Sequence, residues 1–157
     1  MKMFEFVVRV NLLGTYSVAS KCAAWMAKNS DDGVDNERGV IINVASVAAF
    51  DGQDGQASYS ASKGGVAAMT LPMARDLSRQ NVRVLTIAPG TFGTPMTAPL
   101  ESGRGAKVGD GLKSSTLFPK RFGIASEFAS LACEMVTNSM FNGETVRLDG
   151  GIRMPRL

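Results

Sequence analysis

No histidine occurs in the 157 residues, so imidazole is unavailable and any proton transfer at neutral pH must use another group. There are only two cysteines, Cys22 and Cys133, far apart in apolar, helix-like contexts (KCAAWM and LACEMV). They read as buried thiols of a reducing compartment, which excludes a disulfide framework and a cysteine metal site. Apolar runs are broken by Arg, Lys, Gly or Asn well short of the ~18 residues that a membrane span needs, so no membrane partner is expected. The opening MKMFEFVVRVNLLGTY is too polar for a secretory signal and has no small-residue cleavage site. The 17 Lys and Arg against 14 acids give a net charge of +3 without a concentrated basic run, which makes nucleic acid an unlikely partner. No GxGxxG segment is present either, so a phosphate-cradling turn at a helix N-terminus is missing from the chain.

What is present reads as one domain over residues 1–157, with 45% apolar and 20% charged residues. Phe4, Val7, Val8, Leu12, Tyr16, Ala19, Ala23 and Met26 recur at intervals of three and four, which predicts an amphipathic helix over 4–28. The segment NSDDGVDNERG breaks it as a loop. GVIINVAS is a β-branched run with apolar residues on both faces, the pattern of a parallel strand covered on both sides. Residues 57–80 predict a long helix, and VRVLTIAP a second buried strand closed by Pro89 and Gly90. Residues 97–118 carry Gly103, Gly105, Gly109 and Gly111 and predict a mobile loop or loosely helical flap. SEFASLACEMV follows as a helix with Ser126 as a candidate N-cap, then GETVRLDGG as a last strand and turn. Trp25, Met69, Met73 and Met135 stand at helical spacing and read as packing residues. Strands alternating with helices predict an α/β fold with a parallel sheet.

Ser46 falls at the carboxyl end of the first predicted strand, where open parallel sheets place their ligands. Tyr59 and Lys63 are one helical turn apart and share a face. A free phenol is a poor base at neutral pH, but a neighbouring ammonium group favours the phenolate. Tyr59 would then move a proton while the Ser46 hydroxyl holds a carbonyl or alcohol oxygen. That is the proton half of carbonyl reduction; the hydride half needs a nicotinamide cofactor. Taken alone, the same residues also fit a strand end and a polar helix face. Asn11 alone fits a helix residue bonded to nearby backbone, Pro89 and Gly90 a strand terminator, Thr94 a turn before Pro95, and Phe92 a core side chain.

The serine thirteen residues before YSASK, the NLLGT segment of the preceding helix and IAPGTFGTPM after the second strand together resemble the short-chain dehydrogenase/reductase family. The resemblance covers nearly the whole chain and is weakest in the glycine-rich flap. It implies the C-terminal part of a Rossmann-type, doubly wound parallel sheet. It also implies a residue set: Tyr59 as general acid/base, Lys63 favouring its phenolate and binding the nicotinamide ribose, Ser46 orienting the substrate oxygen, and Asn11 completing a proton relay through its main-chain carbonyl. Pro89, Gly90, Phe92 and Thr94 match positions beside the nicotinamide end of the cofactor. NAD is the implied cofactor, and a 3-hydroxyacyl-CoA or hydroxysteroid the implied substrate class. A homo-oligomer, dimer or tetramer, is implied through the helices around residues 12–26 and 66–77. The implied compartment is intracellular, mitochondrial in a eukaryote and otherwise cytoplasmic.

The sequence departs from that family at one end. A full member begins with a strand and a TGxxxGIG turn, and neither is found here, nor is the acidic residue that grips the adenosine ribose. The chain is therefore expected to hold half a cofactor site and to be inactive alone. A non-catalytic α/β interaction or dimerisation fragment is the alternative expectation.

Overall fold

The computed structural model describes residues 1–30 and 34–154. Asp31, Asp32 and Gly33 of the predicted first loop lie outside the described residues.

The chain opens with α1 (Lys2–Val8) and α2 (Gly14–Met26), joined without a break by a π-helical turn at Arg9–Leu13. β1 (Gly39–Val44) follows, then a 3-10 turn at Val47–Ala49 and α3 (Ala57–Leu77). β2 (Val82–Pro89), α4 (Ala106–Ser115), α5 (Ala125–Thr137) and β3 (Thr145–Leu148) complete the order. The strands run parallel in the order β1-β2-β3, with Ile41 opposite Val84 and Thr86 opposite Thr145.

β2 is the middle strand and accordingly its first seven residues are buried. Its alternation sorts them into two layers, as the pleat requires. Val82 and Val84 meet Ala19 and Ala23 of α2, Ile41 of β1, and Met73 and Ala74 of α3. Leu85 and Ile87 meet Met135, with Phe128 and Leu131 of α5 against the same cluster. Each fully buried aliphatic side chain contributes about 1.5–3 kcal/mol, so these layers account for much of the cohesion of the sheet. β1 is an edge strand, and Val44 at its end is exposed.

Several expectations change in the structure. Both cysteines are exposed, because the faces of α2 and α5 that reach the sheet are set by the small residues Ala19 and Ala23 and by Met135. Trp25 is 76% exposed, with the Lys28 ammonium 5.7 Å from its ring centroid, and does not pack in the core. Phe4 and Tyr16 are likewise exposed, so the apolar stripe of the first helix is wider than its buried face. Ser126 is not the N-cap of α5: Ile124 is, and its backbone N–H donates to the Glu127 carboxylate at 2.9 Å. The flap contains a ten-residue helix, α4, held to the core by Leu112 beside Val47, Phe122 and Ile152. Met73 and Met135 are buried as expected, and Met69 packs half-buried between two clusters.

Candidate active site

Three segments converge on α3. The β1 strand ends at Val44, and Ser46 then starts the Val47–Ala49 turn, its hydroxyl accepting the Ala48 N–H at 3.1 Å. That turn packs against α3, which carries Tyr59 and Lys63. The π turn of the first helix packs on α3 as well. Gly65 permits this approach, since a Cβ there would stand 2.7 Å from a methyl carbon of Leu12. The run SASKGG thus serves packing as well as chemistry: small side chains follow the lysine where two elements come close.

Lys63 places its ammonium 5.9 Å from the Tyr59 ring centroid and donates from Nζ to the Val44 carbonyl at 2.9 Å. Burial pushes the Lys63 ammonium below the ordinary lysine range. The Tyr59 side chain stays partly open, with the residue 36% exposed. Lys63 also lines a cleft of about 620 Å³ that runs along β1 and α2.

Asn11 sits in the π turn, where Gly14 N–H reaches back to the Arg9 carbonyl. Such turns are frequent at functional positions. The Asn11 carbonyl accepts the Thr15 hydroxyl at 2.7 Å, and its side-chain Nδ2 donates to Ser62 Oγ at 3.1 Å. Ser62, fully buried, in turn donates to the Tyr59 carbonyl at 2.7 Å. Asn11 is therefore tied across 51 residues to the helix that carries Tyr59, and not to nearby backbone alone. Neither Ser62 nor the Val44 carbonyl stood out in the sequence. A serine in a run of small residues carries no signal of its partner.

The second predicted group lies at the end of β2. Gly90 N–H donates to the Leu148 carbonyl at 2.9 Å, and a Cβ on Gly90 would sit 3.0 Å from the Asp149 Cα, so a side chain there would crowd the exit of β3. Phe92 pairs with Gly123 and meets Phe128 edge-on at 6.0 Å between centroids, so it is half-buried beside α5. Thr94 is exposed, its backbone N–H held by Thr97 Oγ1 at 2.9 Å. Asn11 reaches α3 through Ser62, the turn that Ser46 opens packs on α3, and Tyr59 and Lys63 stand on it, while Pro89, Gly90, Phe92 and Thr94 lie along the exit of the neighbouring strand.

The sequence pattern of the family described as short chain dehydrogenase matches residues 1–105. The chain belongs to that family. The 3-hydroxyacyl-CoA dehydrogenase type-2 of Bos taurus is 52% identical over 151 residues, covering 96% of this chain and 56% of the relative. The crystal structure of 3-hydroxyacyl-CoA dehydrogenase type-2 from Mycobacterium avium superposes with a TM-score of 0.87 at 39% identity, covering 97% of this chain and 56% of that one. A 4-hydroxyisoleucine dehydrogenase mutant complexed with NADH and succinate superposes with a TM-score of 0.81 at 25% identity, covering 96% of this chain and 59% of that one. The chain thus has the C-terminal part of the family's parallel-sheet fold and spans just over half the length of the curated relative it matches. Among the described residues no helix is long and apolar enough to cross a membrane, and no group of His, Cys, Asp and Glu suits a metal ion.

Two ion pairs give the stability of the chain a pH signature. The Arg147 guanidinium beside Asp51 holds its carboxyl below the usual range, against a smaller opposing effect of burial. Arg121 and the Ile124 N–H hold Glu127 down at about 2. Folded carboxyls with depressed values stabilise the protein above their unfolded values and lose that contribution as pH falls through the folded ones. Stability is therefore expected to drop between about pH 5 and pH 2, and the double variant Asp51→Asn/Glu127→Gln to flatten the drop. Denaturant midpoints across that range check it; an unchanged slope in the variant would count against these two ion pairs.

Proposed function

We propose that this chain is the catalytic part of an NAD(H)-dependent oxidoreductase that interconverts a secondary alcohol and a ketone. The observation that carries the reading is the Lys63 ammonium beside the Tyr59 ring, on the helix against which the Ser46 turn packs. The substrate class is a 3-hydroxyacyl-CoA, which the names of the type-2 relatives support, with a hydroxysteroid as the second class proposed. The NADH in the 4-hydroxyisoleucine dehydrogenase complex supports the cofactor class.

The residues present suit one end of a dinucleotide. Lys63 offers a charged donor at the end of β1, and it, with Pro89, Gly90, Phe92 and Thr94 at the exit of β2, would hold the nicotinamide side. When bound, the cofactor supplies or takes the hydride. Ser46 holds the substrate oxygen, and Tyr59 takes the hydroxyl proton in oxidation or returns it in reduction. Lys63 presents its positive charge beside the Tyr59 ring, and burial lowers the pKa of that ammonium.

The test is to join the amino-terminal part of the Bos taurus relative ahead of Met1 and follow NADH formation. Turnover of a 3-hydroxyacyl-CoA is the expected result. No turnover of either substrate class by a folded chimera would favour the non-catalytic interaction reading. The 157-residue chain alone, having no glycine-rich phosphate turn, is expected to show neither dehydrogenase activity nor cofactor saturation by calorimetry. A micromolar dissociation constant, about −8 kcal/mol, would contradict that.

Assembly belongs to the same proposal. Val10, Leu13, Tyr16, Val18 and Trp25 of the first helix and Leu71 of α3 are all exposed, and exposed apolar side chains grouped in a patch mark interaction surfaces. We expect a dimer or tetramer built through these helices. Light scattering that finds a stable monomer at micromolar concentration would overturn this.

A further inference from the structure

We propose that Arg147 is a positioning residue that clamps the Ser46 turn in place. The inference rests on the proposed role of Ser46, but its physical content, a fixed turn, does not depend on substrate or cofactor.

Arg147 lies on β3, and β1 and β3 are not neighbours: β2 separates them. Its guanidinium nevertheless reaches the segment that leaves β1. Nη1 and Nη2 donate to the two Asp51 carboxylate oxygens at 3.2 and 2.5 Å, a two-pronged contact across 96 residues. Nε donates to Asp149 at 2.7 Å, and Nη2 also donates to the Ile152 carbonyl at 2.9 Å. The guanidinium carbon stands 5.5 Å from the Phe50 ring centroid. Paired planar contacts of this kind set orientation as well as distance, which a lysine would not do.

Asp51 closes the turn that Ser46 opens. Ala49 N–H donates to the Ser46 carbonyl, and Phe50 and Asp51 N–H both donate to the Val47 carbonyl. Ala48 N–H donates to the Ser46 hydroxyl itself. Holding Phe50 and Asp51 therefore holds the frame in which that hydroxyl points. Asp149, the other end of the clamp, accepts the Gly151 N–H and lies against Gly90, whose N–H bonds to Leu148. One side chain thus joins the exits of the two outer strands across the exit of the middle one. Arg153 adds a second, longer contact to Asp149 at 3.5 Å from the exposed side.

The test is residue-resolved amide hydrogen exchange on the 157-residue chain and its variants Asp51→Asn, Arg147→Gln and the double variant. Local opening of a unit speeds its own amides and leaves the core unchanged. The expected result is exchange about tenfold faster or more at Ala48, Ala49, Phe50 and Asp51 in each single variant, with β2 amides within about twofold of the parent. The double variant is expected to be no faster than the faster single, because both remove one link. Unchanged rates in the turn, rates that rise in step with β2, or effects that add in the double would each overturn the proposal. Asp51→Asn leaves the Arg147–Asp149 contact intact, so it decides the matter even if Arg147→Gln fails to fold. In the chimera, Asp51→Asn is expected to lower kcat while leaving the cofactor KM within about twofold. Failure of Tyr59→Phe to abolish turnover would strike the oxidoreductase reading without touching the exchange result.

Discussion

Tyr59→Phe in the length-completed protein is expected to lower hydride transfer by at least about a hundredfold, roughly 2.7 kcal/mol of barrier, while leaving the fold intact. The change deletes one hydroxyl from a side chain that is partly open to solvent, so it leaves no core cavity. It removes the only group on that face of α3 assigned to carry the proton. Lys63 cannot replace it, because its ammonium is engaged with the Val44 carbonyl and acts through its charge. Single-turnover measurement of NADH formation separates this step from binding and release. Activity retained within about tenfold would exclude Tyr59 as the acid/base and return the site to the reading of a strand end beside a polar helix. Lys63→Met is expected to weaken both turnover and cofactor binding, since one group serves both.

Arg83→Met is expected to cost about 3 kcal/mol of folding stability or more, although the residue is remote from the proposed chemistry. Arg83 is buried on β2 and bonds to both Glu37 carboxylate oxygens, at 2.7 and 3.0 Å. It also donates to the carbonyls of Met135 and Phe141 at 2.7 Å and of Val136 at 2.9 Å. Those carbonyls belong to the last turn of α5 and the segment after it, where a helix leaves acceptors without intrahelical donors. Methionine preserves much of the volume and supplies none of the donors. The variant thus strands a half-buried carboxylate and three acceptors together, a combination well above the cost of an ordinary surface change. Urea unfolding of parent and variant checks it. A loss below about 1 kcal/mol would mean that water reaches these groups and replaces the guanidinium.

The pairing of Tyr59 with Lys63 was legible because it is local. Tyr59 and Lys63 lie four residues apart on one helix, and a 3.6-residue period puts them on one face whatever surrounds them. The strand Val82–Pro89 was legible for a related reason: a run apolar on both faces can only be a middle strand or a buried helix, and the closing Pro-Gly decided between them. The corrections fall where a local pattern has two outcomes. Cys22 and Trp25 share a helix with Ala19 and Ala23, and only the docking of that helix on β1 and α3 decides which side is inward. Ser126 and Ile124 both precede the helical run; the Glu127 side chain, reaching back to the Ile124 N–H, selects the cap. In the flap, four glycines argue against helix, but packing of Leu112 on Val47 and Phe122 offsets their weak propensity.

By itself, then, the sequence determined the order of strands and helices outside the flap, the parallel α/β class, the family and the residues of the Tyr59–Lys63 face. All of these follow from neighbours within a few turns of chain or from motifs quoted whole. Tertiary structure alone decided which helix faces meet the sheet, that Asn11 reaches Ser62, that Lys63 finds the Val44 carbonyl, and that Arg147 closes on Asp51. The reason is geometric. A parallel sheet brings the exits of strands distant in sequence to one edge, and the contacts made there depend on register and crossing, which no local period encodes.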